Sequence, residues 1–435
     1  MRVQIVPMMV PAHIALLVPL GWAMQNAGHD VRVLVPPDAV DTVGRSGLTA
    51  VPYGNPVNLA MAETGMHNVD SAMPWMAKIN GMDSDGSFHD VDLRNLILSP
   101  LVMFYGAEEL RPTLDDLIDK TIAWQPDLVM WDSVAAFASV LARVSGAANA
   151  RMLWGFDHMA RMRKAFLARA EHEEARDSIG VLAESVLARY GKEYDDSVLL
   201  GDFTVNPVPL LGQSSFDIPT VAVRQPAYAN PTEVPDWVLE PPARPRICLT
   251  TGRSRRDVGQ TDNYGISIQA LFDGVAELDI DVVATFTAEQ LPADIEVPDN
   301  VRLVDYVPFN VLLPTCSAVV HHSGGTTMMM AMWNAVPQIV ISPKAWGDPD
   351  LTELTVEQGA GLAIPADELT GDKLSAALTR VLDEPSFARN ATKMRSATKS
   401  LPNPNEAVPI IERLTEETLA RHASRERSRP HSATG

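Results

Sequence analysis

The segment from residue 321 to 327, with the sequence HHSGGTT, constrains the fold more than any other part of the chain. It follows an apolar run, 318–320, and precedes a stretch of helix-forming residues. Pro337 and a second apolar run, 338–341, come next. This order of strand, glycine-containing loop, helix and strand predicts a parallel α/β domain in the C-terminal half.

The same segment is suited to binding an anion. Where a strand gives way to a helix, backbone N–H groups and the positive end of the helix dipole face the ligand. Glycines let a diphosphate approach the backbone closely, and imidazole or hydroxyl groups add hydrogen bonds. For a lone Gly-Gly pair, an ordinary turn before a core helix is the commoner explanation. The paired histidines, together with a second candidate site in the N-terminal half, favour anion binding.

The composition indicates a globular enzyme with two domains. The chain has 435 residues, 46% hydrophobic and 21% charged, which is enough for two sizeable cores. Its net charge of −20 argues against nucleic acid and an anionic membrane surface as partners. No uninterrupted apolar run is long enough to span a bilayer. We therefore expect a cytoplasmic protein, with Cys248 and Cys316 as reduced thiols whose spacing offers no metal site.

Strand-like and helix-like segments alternate along both halves, which indicates parallel strands with crossover helices. The strands are predicted at 2–8, 31–35, 127–131, 151–154, 246–250, 280–285, 301–304, 318–321 and 339–341, and the helices include 14–27, 135–144 and 266–276. The expected fold class is α/β, with two Rossmann-like domains facing a central cleft. Ligands of such folds bind at the carboxyl ends of the strands.

Composition shifts suggest where the domains end. Proline is frequent from 206 to 245, which predicts a semi-rigid linker. After Leu419 the chain is rich in Arg, Ser and His and lacks apolar periodicity, which predicts disorder. The expected boundaries are an N-terminal domain 1–215, a linker 216–245, a C-terminal domain 246–405, a closing helix 406–422 and a disordered tail 423–435.

The N-terminal half carries a candidate acid–base pair. His13 comes just after the first strand, at the edge where a histidine titrating near neutral pH can act as a general base. Asp132 follows the strand DLVMW and is expected at the same edge, where it can fix the tautomer of the imidazole. The alternatives are a turn residue for His13 and a helix N-cap for Asp132.

Three further groups are weaker candidates. The loop 250–256, TTGRSRR, offers hydroxyls such as that of Ser254 and arginines for a diphosphate, although an exposed basic loop also explains it. Trp346 and Asp348 could cover and hydrogen-bond a sugar, but a Gly-Asp-Pro turn explains them equally well. Several aromatic residues could line an apolar acceptor pocket instead of packing in the core. These are Trp75, Phe104, Trp154 and Phe156.

Together these segments resemble the bacterial glycosyltransferases that attach nucleotide-activated deoxysugars to macrolide and anthracycline polyketides. The similarity runs almost end to end and includes AWQPDLVMWDS, ARMLWGFD, VPFNVLLPTCSAVVHHSGGTT and EQGAGLAIP. The resemblance implies a GT-B-like fold and an inverting reaction with neither a catalytic metal nor a cofactor. It also implies a thymidine-diphosphate (TDP) sugar as donor, held mostly by the C-terminal domain, and a polyketide aglycone as acceptor, held mostly by the N-terminal domain.

The resemblance also assigns roles to residues. It makes His13 the general base and Asp132 its partner, and it places Asp348 on the hexose. The diphosphate would be held by His322, Gly324, Gly325, Thr326 and Thr327. The family loop usually reads HHGGAGT, so Ser323 and Thr326 replace glycines. The family's Trp-Asp-Gln element becomes Trp346-Gly347-Asp348-Pro349, without the glutamine.

Partners and rival functions remain open at this point. Some relatives of this type need a haem-monooxygenase-like activator protein, and the N-terminal half resembles that subgroup. A homodimer is also compatible with the sequence. A C-glycosyltransferase acting on an aromatic polyketide would use the same residues. A catalytically silent partner protein would explain the altered loop but not the presence of both His13 and Asp132. A nucleotide-sugar epimerase is disfavoured, because no Gly-x-Gly-x-x-Gly loop follows the first strand.

Overall fold

Parallel strands organise both halves of the chain. The computed structural model describes residues 1–8, 10–57, 112–155, 157, 160, 178–207, 217–224, 228–229, 232–253, 256, 263–343 and 349–428. These residues divide into an N-terminal unit, made of the described residues up to 224 and of 402–428, and a C-terminal unit, made of those from 228 to 401. The expected α/β class with two Rossmann-like domains is confirmed.

In the N-terminal unit, the described strands form one parallel sheet of seven strands in the order β3-β2-β1-β4-β5-β6-β7. The strands are β1 Arg2–Val6, β2 Asp30–Val35, β3 Thr49–Pro52, β4 Leu128–Asp132, β5 Ala148–Met152, β6 Phe203–Asn206 and β7 Thr220–Ala222. The helices are α1 Pro11–Asn26, α2 Val40–Gly44, α3 112–124, α4 Ser139–Ser145, α5 Ser178–Arg189 and α6 Ser197–Leu200. Strand β4 is buried along its whole length, as expected for a parallel strand covered on both faces.

In the C-terminal unit, the described strands form a parallel sheet of six strands in the order β10-β9-β8-β11-β12-β13. They are β8 Arg246–Thr250, β9 Asp281–Ala284, β10 Val301–Leu303, β11 Ala318–His321, β12 Gln338–Ser342 and β13 Gly361–Pro365. The helices are α7 Asp236–Leu239, α8 Ile268–Ala276, α9 Phe309–Leu312, α10 Gly325–Trp333, α11 Pro349–Glu357, α12 Gly371–Asp383 and α13 Pro385–Lys399. The last helix of the chain, α14 Pro404–Ser428, belongs to the N-terminal unit.

Several predicted boundaries are wrong. The linker expected at 216–245 contains β7, which completes the first sheet as its outermost strand, where flanking prolines are tolerated. The closing helix expected at 406–422 instead runs from Pro404 to Ser428 and takes up the first six residues of the predicted tail. An exposed helical end needs no apolar periodicity, and basic residues in its last turn suit the helix dipole. Residues 429–435 lie outside the described residues. Strands β3, β6 and β13 were not predicted.

Helix α14 returns to the N-terminal unit and packs on α1, β5 and β7. Its inner face buries Ala407, Val408 and Ile411. At its edge, Nε2 of His29 lies 2.9 Å from Oε1 of Glu412. The chain therefore crosses to the C-terminal unit and returns, so that its last helix covers the first sheet. Across the described ranges, no helix combines the length and the apolar character needed to cross a bilayer.

Replacing Ile411 by alanine is expected to destabilise the N-terminal unit by about 3 kcal/mol, because a fully buried aliphatic side chain leaves a cavity. Hydrogen exchange should accelerate in peptides covering β1 and β4 and stay unchanged in those covering β8 and β11. The control is Arg413→Ala on the exposed face, where Arg413 pairs with Glu417. Faster exchange confined to the C-terminal unit would contradict this placement of α14.

Candidate active site

The two catalytic candidates meet at the point where the strand order of the first sheet reverses. Strand β1 pairs with β2 on one side and with β4 on the other. His13 lies in the first turn of α1, which begins at Pro11, since the fixed φ of proline suits that position. Asp132 is the last residue of β4. Nδ1 of His13 donates to Oδ2 of Asp132 at 2.6 Å. The residue pair predicted from two strand ends is therefore brought together.

Both oxygens of the Asp132 carboxylate accept a hydrogen bond. Oδ2 accepts from His13, and Oδ1 accepts from the backbone N–H of Val134 at 2.9 Å. The local turn and the contact with the imidazole therefore coexist in one side chain. Because a carboxylate only accepts hydrogen bonds, Nδ1 carries the proton and Nε2 is the basic nitrogen of His13. The side chains of His13 and Asp132 are 15% and 9% exposed.

An indole ring lies on another side of His13. The ring centroids of His13 and Trp154 are 5.0 Å apart and the planes are tilted by 42°. Trp154 follows β5 in a loop that is fixed by an ion pair between Arg151 and Asp157, with Nη2 and Oδ2 2.7 Å apart. These two side chains are only 2% and 4% exposed, and Asp157 also accepts from the N–H of Ala160. Apart from the presence of both charges in the segment ARMLWGFD, nothing in the sequence indicates this pair.

The predicted anion-binding loop lies at the corresponding place in the second sheet. Strand β8 pairs with β9 on one side and with β11 on the other. Residues 322–324 join the end of β11 to α10, and Gly324 caps that helix. The first helical hydrogen bond in α10 runs from Met328 N–H to the Gly324 carbonyl. The N–H groups of residues 325–327 consequently have no acceptor within the helix.

The two histidines of the loop have different surroundings. His321 is 1% exposed, its Nε2 donates to Oε1 of Gln338, and its Nδ1 accepts from the backbone N–H of Ser323. Burial lowers the pKa of His321 to about 4, against the opposing effect of the hydrogen bond to Gln338. His321 is therefore a neutral structural residue that holds the turn leading to His322.

Ser323 and Thr326, which replace glycines of the usual HHGGAGT loop, differ in their backbone conformation. Ser323 has a φ of 67°, a left-handed conformation that glycine adopts more easily. Its hydroxyl lies 2.7 Å from that of Thr352 on α11, and both side chains are buried. Thr326 occupies the second position of α10, in regular helix. The conformational cost therefore falls on Ser323, where a buried hydrogen bond offsets it.

The imidazole of His322 fits into a slot left by two glycines and one aromatic ring. A Cβ at Gly252 would clash with Cε1 of His322, and a Cβ at Gly324 would lie 2.6 Å from Nε2. The rings of His322 and Tyr264 are stacked, with centroids 4.4 Å apart and an interplanar angle of 18°. Gly324 therefore makes room for an imidazole, a role the sequence did not reveal. Tyr264 was not predicted as a site residue, and Gly252 was included only as part of the candidate loop 250–256.

The remaining candidates lie outside the described residues: Ser254, Trp346, Asp348, Trp75, Phe104 and Phe156. Arg253, in the candidate loop after β8, lies with its guanidinium carbon 4.9 Å from the ring centroid of Tyr306. Among the residues that the structure describes, no group of three or more His, Cys, Asp or Glu side chains is arranged to hold a metal ion.

The burial of His321 makes stability depend on pH. Its pKa is about 4 in the folded protein and 6.5 in the reference state, so the stabilisation is complete above 6.5 and is lost as the pH falls towards 4. Lowering the pH from ~7.5 to ~5 should cost the wild type about 2 kcal/mol through this group. In His321→Asn, Oδ1 replaces Nδ1 as acceptor and cannot titrate, so this part of the loss should disappear.

Urea unfolding at the two pH values measures the difference. Gln269→Ala is the control, because this exposed side chain on α8 of the same unit has no titratable group. It should keep the pH dependence of the wild type. A His321→Asn variant that loses as much stability as the wild type would refute the assignment.

Comparison with known proteins gives a consistent result. Residues 22–252 match the family model for the N-terminal domain of erythromycin biosynthesis protein CIII-like proteins. Residues 269–414 match the model for the C-terminal domain of the same family. The chain is 38% identical over 422 residues to 10-deoxymethynolide desosaminyltransferase from Streptomyces venezuelae, covering 95% of this chain and 97% of that protein. It is 37% identical over 431 residues to aclacinomycin-T 2-deoxy-L-fucose transferase from Streptomyces galilaeus, covering 96% and 97%.

A solved structure agrees with this result. The crystal structure of glycosyltransferase VinC in complex with dTDP superposes with a TM-score of 0.81 at 32% sequence identity. The match covers 96% of this chain and all of that one. The likeness therefore extends over both units.

Proposed function

Because this chain belongs to the erythromycin biosynthesis protein CIII-like family of glycosyltransferases, we propose that it transfers a deoxysugar from a TDP donor to a hydroxyl of a polyketide aglycone, with inversion at the anomeric carbon. Two of its relatives are named as an aclacinomycin-T 2-deoxy-L-fucose transferase and a 10-deoxymethynolide desosaminyltransferase, and VinC was crystallised with dTDP. The observation that carries the proposal is the 2.6 Å hydrogen bond between His13 and Asp132.

The pair of His13 and Asp132 supplies the general base. Nε2 of His13 takes the proton of the acceptor hydroxyl while its oxygen attacks the anomeric carbon, and the bond from that carbon to the diphosphate breaks. Asp132 holds Nδ1–H and stabilises the imidazolium that forms. Trp154, 5.0 Å from His13 between ring centroids, gives the acceptor an apolar surface next to the base. A partner protein without catalysis has no use for a histidine held in this way.

The leaving diphosphate is stabilised in the C-terminal unit. The N–H groups of residues 325–327 and the dipole of α10 meet its negative charge, and His322 adds a hydrogen bond to its oxygens. This arrangement supports a reaction without a metal ion or another cofactor. The free thiols of Cys248 and Cys316 support a cytoplasmic location, where thiols stay reduced.

Substitutions in the two sites should separate chemistry from donor binding. His13→Gln is expected to lower kcat by a factor of about 10²–10⁴, the usual contribution of a general base, with the Kd for TDP unchanged. His322→Ala should raise the Kd for TDP on the order of tenfold, the value of a hydrogen bond to a charged group. Calorimetric titration with TDP in the presence of EDTA, followed by turnover assays with TDP-deoxysugars, gives both quantities.

The control for these titrations is His422→Gln, on the outer part of α14, which should change neither quantity. Wild-type protein that is folded but binds no TDP would refute the function. A requirement for Mg²⁺ in TDP binding would refute only the metal-free reaction. A product that survives acid hydrolysis as a C-glycoside would change the bond formed and leave the roles of His13 and His322 intact.

We further propose that a haem-monooxygenase-like activator protein assists this enzyme through the N-terminal unit, on the basis of the resemblance in that half of the chain. The expected outcome is slow turnover by the purified protein and turnover at least about tenfold faster with the activator, because an ordered site loses less conformational entropy on binding. Single-turnover assays with and without the activator measure this, and chromatographic size under the same conditions tests for a homodimer. Full turnover by the protein alone would contradict the activator proposal.

A further inference from the structure

Three consecutive residues of the C-terminal unit adopt the left-handed backbone conformation. Asn263, Tyr264 and Gly265 have φ values of 48°, 61° and 73°. Glycine adopts this region freely and asparagine tolerates it, but a tyrosine is sterically disfavoured there. A disfavoured conformation persists only where its surroundings impose it, and such positions concentrate at functional sites. The surroundings of Tyr264 must therefore impose its backbone conformation.

A buried amide fixes the backbone of this segment. Asn263 is 6% exposed, and its Oδ1 accepts from Thr251 Oγ1 at 3.1 Å and from Gln290 Nε2 at 2.9 Å. Its Nδ2 donates to the backbone carbonyl of Gln290. Thr251 follows β8, and Gln290 lies in the segment after β9. The left-handed turn is thus anchored to two neighbouring strand ends of the sheet.

The consequence of this turn is the stacking of Tyr264 on His322. The planes of the two rings differ by only 18° at a centroid separation of 4.4 Å. Gly252, itself at a φ of 76°, and Gly324 approach the same imidazole so closely that neither position has room for a Cβ. The ring of His322 is therefore held between surfaces whose backbone is fixed, and its plane is set before any ligand arrives.

We propose that Tyr264 is a positioning residue that orients the imidazole of His322 towards the diphosphate of the donor. This inference rests on the function proposed above and names the residue that prepares its diphosphate site. A histidine whose orientation is already fixed loses less side-chain freedom when the diphosphate binds, so binding is tighter. The aromatic ring carries this role, and the hydroxyl does not.

The test compares TDP with thymidine, which lacks the diphosphate. Tyr264→Leu is expected to raise the Kd for TDP about fivefold to tenfold, the value of one ordered side chain, and to leave the Kd for thymidine unchanged. The matched variant Tyr264→Phe keeps the ring and should bind TDP like the wild type. In a His322→Ala background, Tyr264→Leu should cause no further loss, because the residue acts through that imidazole.

A second readout does not depend on nucleotide binding. Aromatic stacking shifts the NMR resonance of the Cε1 proton of His322, which is assigned by its disappearance in His322→Ala. Tyr264→Leu should move this resonance, and Tyr264→Phe should not. Tyr264→Asn serves as a second variant if the leucine variant does not fold, since asparagine tolerates the left-handed conformation and does not stack.

Several outcomes would overturn the inference. An equal loss of thymidine affinity would place Tyr264 on the nucleoside, and a further loss in the His322→Ala background would show that it acts elsewhere. An unchanged resonance of His322 in the leucine or asparagine variant would show that the rings do not stack. Failure of the folded wild type to bind TDP would instead refute the proposed function, with the resonance still deciding whether Tyr264 orients His322.

Discussion

The reversal of strand order within each parallel sheet is the constraint on which both sites depend. In each unit the first strand, β1 or β8, lies between the strand that directly follows it in the chain and a strand that comes later, β4 or β11. Connections leave such a strand and its neighbour on opposite faces of the sheet, so their carboxyl ends remain uncovered. His13 and Asp132 occupy this position in one unit, and His322 occupies it in the other. Strand pairing in the sheets thus determines where these candidate side chains lie.

Several left-handed backbone conformations of the C-terminal unit surround one imidazole. Ser323, Tyr264 and Gly252 all have positive φ values, and each contributes to the turn, the stack or the slot of His322. Buried polar contacts offset the cost in two of these places, through the hydroxyl of Thr352 and the amide of Asn263. The less favourable backbone conformations at these positions fix the orientation of the His322 ring. A side chain whose orientation is already fixed loses less conformational freedom when a ligand binds, so the ligand binds more tightly.

The sequence predicts what depends on strand ends and misses what depends on conformation. His13 and Asp132 could be paired because parallel strands end at a common edge of the sheet. Tyr264 could not be linked to His322, since their proximity results from a left-handed turn that the dipeptide Asn-Tyr before glycine does not specify. The predicted linker and tail failed because edge strands and exposed helix ends carry little apolar periodicity.

The contrast between His13 and His321 shows how a fold assigns different chemistry to one type of side chain. His321 is enclosed and has a neutral amide as partner, so burial lowers its pKa to about 4 and it stays uncharged. His13 is partly exposed and has a carboxylate as partner, which stabilises the cation formed when the ring accepts a proton. A structural histidine must resist protonation, whereas the general base that we propose for His13 must become protonated during each turnover. His321 has the neutral Gln338 as its partner in the core, and His13 has the charged Asp132 as its partner at the edge of a sheet, so the fold meets both requirements.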